Sequence, residues 1–271
     1  METNVERDIE HLVDDLLRLG VRPGGVLLTH VSLSSMGQVD GGPETVIRAL
    51  LRALGEEGTL LIPALSYANV HADQPVFDLQ HTPSCIGTIP EFFRTRSGTL
   101  RSASPTHSVC GLGKRAAELL AAQHLDDTPV GPRSPFRRLR DADGQLLFLG
   151  CGLRPNTSMH GVEEVAAAPY LFKKESVAYE AHLPDGVHPL RIRRHNFDGW
   201  DQRYERVADH MRADGLFVGS VLQATAHLLD VRTMWEAALQ AMAEDPYHFV
   251  QRSEAVAGAR LVDYTLSVAI S

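Results

Sequence analysis

Long apolar runs are missing from this 271-residue chain, and none approaches the roughly 20 residues needed to cross a bilayer. A membrane protein is therefore not expected. Cysteine is scarce: Cys85, Cys110 and Cys151 are odd in number and show no CxxC spacing. That argues against a disulfide framework and a structural zinc site, and it fits a reducing compartment. The first ten residues, METNVERDIE, carry four acids where a secretory leader would carry bases, so a cytoplasmic location is expected. A basic excess is lacking too. Lys and Arg number 26 against 34 Asp and Glu, a net charge of −8 with no basic stripe, which makes nucleic acid a poor partner. That charge keeps the protein in solution and can also steer a polycationic ligand towards it.

Several chemical signatures are absent as well. There is no GxSxG elbow, no GxGxxG opening a helix after a strand, no GxxxxGK[ST] and no HExxH. An α/β-hydrolase, a dinucleotide fold, a nucleotide P-loop and a zincin are thereby unsupported. His71 and Asp73, in the segment HAD, leave only a weak metal-like pair.

What is present reads as one α/β domain, residues 1–271, with a mixed sheet flanked by helices. Apolar residues make up 44% and charged residues 22%, ordinary for a globular chain long enough to bury a sizeable core. The periodicity predicts an amphipathic helix over 5–19, a buried strand over 25–31, a helix over 43–55 with Pro43 in its first turn, and a strand over 58–65. This β-α-β order implies a parallel pair with a right-handed crossover. A long polar loop follows over 66–86, then helices over 86–96 and 113–124, a strand over 144–152 and a helix over 157–167. Residues 175–195 alternate around Pro-Asp-Gly as an antiparallel hairpin. Helices over 201–213 and 231–244 flank a short strand, GLFVG.

Three polar clusters stand at strand ends, where open sheets place their sites. The first is His30-Val31-Ser32-Leu33-Ser34-Ser35-Met36-Gly37, a small-residue loop able to offer N–H groups and hydroxyls to a phosphate or amide. A serine-rich turn with no ligand has the same composition. The second is Ser104-Pro105-Thr106-His107-Ser108, in which flanking hydroxyls can hold an imidazole in one tautomer, whether for catalysis or for structure. The third, Asn156 to Glu164, places Glu163 three residues after His160, on one face of a helix. A carboxylate in that position orients an imidazole and stabilises its protonated form, as a general base requires, although a surface ion pair would show the same spacing. The unusually high count of 13 histidines also points towards base or metal chemistry.

The ordered segments THVSLSSMG, GTLLIPAL, FDLQHTPSCIGTIPEFFRT, LRSASPTHSV, SPFRRL, LLFLGCG and NTSMHGVEE resemble the aminoglycoside 3-N-acetyltransferase family over about residues 8–250. Each motif is modest, and the ordered set is specific. The resemblance implies a fold of that family's own kind, distinct from GNAT acetyltransferases. It implies transfer of acetyl from acetyl-CoA to the 3-amino group of an aminoglycoside's 2-deoxystreptamine ring, conferring antibiotic resistance. No metal cofactor is expected, because the cysteines lack zinc spacing and HExxH is missing. By the same resemblance, His30, Ser32, Leu33, Ser34, Ser35, Thr106, His107, Ser108 and Ser134 match segments that line the coenzyme side. His160 and Glu163 match the family's His-x-x-Glu, the base and its orienter, with Thr106 or His107 beside the developing oxyanion. The chain departs from the family at Val31, where a small or hydroxyl residue is frequent, and at Tyr67, near which a Trp is common.

Charge logic adds Glu164, Asp198 and Asp209, with Tyr67, as expected contacts for a polycationic drug. The residues alone leave three alternatives open. They are a non-antibiotic amine substrate, a hydrolase using His30, His107, His160 and Glu163 as metal ligands, and a non-catalytic binder. A homodimer is also left open.

Overall fold

A computed structural model describes residues 2–254. Met1 and the stretch 255–271, and with them the ends of the expected 1–271 domain, lie outside the described residues. In chain order the regular elements begin with α1 (Glu2–Leu19), β1 (Val26–Val31), α2 (Pro43–Leu54), β2 (Thr59–Pro63), β3 (Val76–Asp78) and α3 (Thr88–Thr95). They continue with β4 (Leu100–Arg101), β5 (Val109–Gly113), α4 (Ala116–Leu120), α5 (Pro135–Asp141), β6 (Gln145–Leu149) and α6 (Met159–Val165). The last are β7 (Phe172–Leu183), β8 (Gly186–His195), β9 (Trp200–Gln202), β10 (Leu216–Val221), β11 (Ala224–Asp230), α7 (Val231–Glu244) and β12 (Val250–Arg252).

The main sheet has the order β10-β11-β6-β1-β2-β5-β4. Its centre is parallel, with β1 beside both β2 and β6, and antiparallel strands extend it on either side. The central strands are apolar at nearly every position because helices cover both faces. Successive side chains alternate between those faces. Leu27, Leu60, Leu147 and Leu149 pack with Ile9, Leu12 and Leu16 of α1, Ile47 and Leu50 of α2 and Phe93 of α3. Leu28, Leu61, Leu146 and Phe148 face the other way, onto Leu119 of α4, Phe136 of α5, Val162 of α6 and Trp235 of α7.

The hairpin β7–β8 forms a second small sheet, and its third strand, β3, comes from the middle of the 66–86 loop. Phe77 of β3 is fully buried against Tyr179 and Ile192. That loop is therefore partly a strand, which three residues between polar flanks could not announce.

Other expectations change in detail. The helix over 113–124 stops at Leu120, because Ala122 turns left-handed at φ 63° and a 3-10 turn, Gln123–Leu125, follows. The expected 201–213 helix is instead the end of β9 and a 3-10 turn over Tyr204–His210, since Trp200–Gln202 pairs antiparallel with Val250–Arg252. The strand at GLFVG runs to Val221 and returns as β11, which pairs with β6.

Candidate active site

The three polar clusters meet at the carboxyl edge of β1, β2 and β6. The Thr106–His107 cluster precedes β5 rather than ending a strand, but β5 runs antiparallel to β2 with Val109 opposite Pro63, so it arrives at the same edge. A cavity of about 570 Å³ opens there. His30, Tyr67, Thr106, His107 and His160 line it, joined by Arg154, Arg194, His195, Phe197 and Tyr204.

The third cluster is built most firmly. The N–H of Ser158 donates to Asn156 Oδ1 at 3.2 Å, and Trp235 Nε1 donates to Ser158 Oγ at 3.0 Å, fixing the first turn of α6. One residue on from His160, a Cβ at Gly161 would lie 2.6 Å from the Trp235 ring, so α6 seats on α7 only because that position has no side chain. The i, i+3 spacing then brings His160 Nδ1 to 3.2 Å from Glu163 Oε2. Glu163 is fully buried and its other partners are phenols. Tyr170 donates to Oε1 and Tyr204 to Oε2, each at 2.8 Å, and the Tyr204 oxygen also lies 3.0 Å from His160 Nδ1. Burial and the Glu163 carboxylate push both phenols upward, so they stay protonated as donors. With a carboxylate as its partner, His160 carries its proton on Nδ1 and keeps a lone pair on Nε2.

Two further imidazoles stand beside it. His107 has Nδ1 at 2.9 Å from Thr106 Oγ1, and its N–H donates to Ser104 Oγ. His195, at the end of β8, has Nε2 at 2.8 Å from Glu164 Oε1. Ring centroids are 4.9 Å apart for His160 and His195 and 5.4 Å for His107 and His160. Burial, and then the neighbouring imidazoles, hold His107 and His195 well below the ordinary imidazole range, so both are neutral at pH 7. His30 stacks on Phe148, its cross-strand neighbour, at 5.0 Å, and burial pushes it down to about 4.

The other expected residues fall in two groups. Tyr67 is half exposed and lines the cavity. Ser32, Leu33, Ser34 and Ser35 begin one residue beyond the cavity-lining Val31 and form a 3-10 turn. Ser35 Oγ donates to the Gly150 carbonyl at 2.9 Å and lies 2.9 Å from Ser32 Oγ, which ties the turn to the end of β6 and leaves Ser34 exposed. Ser108 and Ser134 are buried away from the cavity. Ser108 donates to the Ala64 carbonyl and accepts from Arg101, and Ser134 accepts from Gln123.

Glu164 is not open to a drug. Its carboxylate takes Thr128, the Val130 N–H, Arg137 and His195, and its side chain is 2% exposed. Asp198 and Asp209 are exposed and outside the lining. Among the described residues no Asp or Glu lines the cavity, whereas Arg154 and Arg194 do. The donor set expected for a hydrolase is not assembled either, since His30 faces Phe148 and Glu163 is enclosed by phenols. Tyr170, Tyr204 and His195 were missed by sequence reasoning. No spacing rule links them to His160, which lies 44 residues from Tyr204 and 35 from His195.

An imidazole on a cavity wall with one nitrogen free, backed by a buried carboxylate, is chemically able to accept a proton. The sequence profile described as aminoglycoside 3-N-acetyltransferase matches residues 28–243, and the chain belongs to that family. Aminoglycoside N(3)-acetyltransferase VII of Streptomyces paromomycinus is 35% identical over 253 residues, 82% of this chain and 86% of that protein. The crystal structure of aminoglycoside acetyltransferase AAC(3)-IVa, a histidine-to-alanine mutant in complex with a gentamicin, is similar with TM-score 0.77 and 30% identity over 89% of this chain and 90% of that one. AAC-IIIb in binary complex with CoASH gives TM-score 0.75 and 27% identity over 86% of this chain and 95% of that one.

Proposed function

We propose that the protein moves the acetyl group of acetyl-CoA directly to an amine of an aminoglycoside, the 3-amino group of the 2-deoxystreptamine ring, with His160 as general base. The observation that carries this reading is the buried Glu163–His160 pair, whose imidazole lines the cavity with one nitrogen free. An ammonium has no lone pair to attack a thioester. Nε2 of His160 takes its proton, and the amine nitrogen bonds to the thioester carbon. Collapse of the tetrahedral intermediate breaks the C–S bond and expels the coenzyme thiolate, which takes up the second proton of the new amide nitrogen. Glu163, held by Tyr170 and Tyr204, fixes the tautomer and stabilises the imidazolium. Thr106, a cavity-lining hydroxyl beside His107 and not bonded to the His160–Glu163 pair, serves the oxyanion. Relatives named for aminoglycosides and a neighbour solved with CoASH support the substrate pair.

His160→Ala tests the base. Folded protein that still binds acetyl-CoA should lose at least about 10²-fold in turnover, the usual size of a general-base effect. Near-native turnover would remove His160 from the mechanism.

One observation favours a second reading, an acceptor amine with few other cations. A polycation gains little from a wall that offers Arg154, Arg194 and no carboxylate among the described residues. Release of free coenzyme thiol, followed across aminoglycosides and singly charged amines, separates the two. Higher kcat/KM for the aminoglycosides supports the first reading, and higher kcat/KM for the monoamines supports the second.

A further inference from the structure

The three imidazoles at the cavity floor have a property that base catalysis does not need. One ring nitrogen from each of His107, His160 and His195 lies within 4.8 Å of the other two. Each ring is also held from behind. Glu163 holds His160 through Nδ1, Glu164 holds His195 through Nε2, and Thr106 holds His107 through Nδ1. The free nitrogens are then Nε2 of His160, Nδ1 of His195 and Nε2 of His107. Nδ1 of His195 is sealed from solvent with no hydrogen-bond partner, a buried polar atom without a use in the fold.

This is the arrangement of a three-histidine metal site with its outer carboxylates already in place. A ligating imidazole characteristically gives its other nitrogen to a carboxylate or hydroxyl, which sets the tautomer and raises basicity. Adjacent carboxylates on one helix, Glu163 and Glu164, do this for two different rings. A tetrahedral zinc with bonds of about 2.0–2.1 Å sets its ligand nitrogens roughly 3.3 Å apart, so the three rings would close on the ion. All three rings line the cavity, which leaves room for a fourth ligand.

We propose that His107, His160 and His195 form a binding site for a divalent transition ion, zinc above all, which occupies the free lone pair of His160 and thereby inhibits the enzyme. Neutral imidazole is the form that binds, and no carboxylate enters the coordination shell, which disfavours magnesium and calcium. The ion competes with the proton that His160 would otherwise accept. Inhibition rests on the function proposed above; binding does not.

The test uses the metal-free wild-type protein with zinc and cobalt(II) alone. Calorimetry should find one tight zinc site per chain, and cobalt(II) should give the strong visible bands of a four- or five-coordinate ion. His195→Ala should weaken zinc binding by at least about tenfold, the scale on which even outer partners of a ligand act. A surface pair, His210 and His248, whose Nε2 atoms lie 2.8 Å apart, is the competing site. His210→Ala should leave the tight zinc site unchanged. The inference is overturned if wild-type protein binds no zinc, if cobalt stays six-coordinate, or if His210→Ala and not His195→Ala removes the binding. The cobalt spectrum needs no variant, so misfolding of His195→Ala cannot spare the proposal. Turnover should fall in step with zinc occupancy and return with chelator. Zinc bound at these rings with turnover undiminished would overturn His160 as the base while leaving the site itself in place.

Discussion

Glu163 is a carboxylate with no access to solvent and three donors around it, which is the condition for holding an imidazole rigidly. Tyr204 is the least replaceable of these, because its oxygen lies within hydrogen-bond distance of both partners of the pair. Tyr204→Phe should lower kcat by about tenfold or more with little change in either KM, because the hydroxyl is bound to Glu163 and His160 and acts by positioning the base. A merely structural role would move stability and leave the kcat of the folded fraction intact. The Ser32–Ser35 turn allows a second residue-scale test. If the coenzyme runs over it, Ser34→Glu places bulk and charge in its path and should raise the KM for acetyl-CoA far more than that for the amine. An unchanged acetyl-CoA KM would put the coenzyme elsewhere.

The helix α6 carries His160, Glu163 and Glu164, and its seat on α7 depends on Gly161. A methyl group there meets the Trp235 ring at 2.6 Å, and Val130 stands at 3.0 Å on another side. Gly161→Ala should therefore cost about 1–3 kcal/mol by overpacking, or push α6 away from α7 and displace His160. Denaturant midpoints and kcat measured together will detect either outcome, and a variant unchanged in both would mean that α6 slides freely on α7. Elements of this kind explain what the sequence made legible. His160 and Glu163 are local, three residues apart on one helix, so their pairing could be read directly. The central strands were legible because helices on both faces make them continuously apolar. The strand β5 was missed because VCGLG is short, glycine-broken and directly follows a polar cluster. The strand β11 was missed because ATAHLLD runs without a break into α7. The hairpin that ends at His195 was legible, but nothing local shows where it docks, and Tyr204 follows β9, whose partner β12 lies far along the chain.

The same buried imidazoles that serve the site make the whole molecule sensitive to acid. Burial holds His30 at about 4, with Nε2 sealed and unpaired and the ring stacked on Phe148, while an unfolded chain returns it to about 6.5. Because the folded value is depressed, the unfolded chain takes up the proton first as pH falls, and stability rises with pH across that interval. The contribution of His30 is complete above about pH 6.5 and is lost progressively down to about pH 4. His107 and His195 are depressed in the same direction and add to the loss. Glu164 works against it, because burial raises its carboxyl and the folded protein takes up that proton first. Burial depresses His227 and His248 as well and raises the carboxyl of Asp126, so depressed imidazoles outnumber raised carboxyls and acidification lowers stability on balance. Between pH 7 and pH 5 the His30 share alone should be about 2 kcal/mol. His30→Gln removes the titration and keeps a polar side chain in the stack. Its unfolding free energy should therefore fall by about 2 kcal/mol less than that of the wild type between pH 7 and pH 5, whatever its stability at pH 7. Urea titrations of both proteins at the two pH values measure this difference, and parallel losses would show that His30 is already solvated in the folded state.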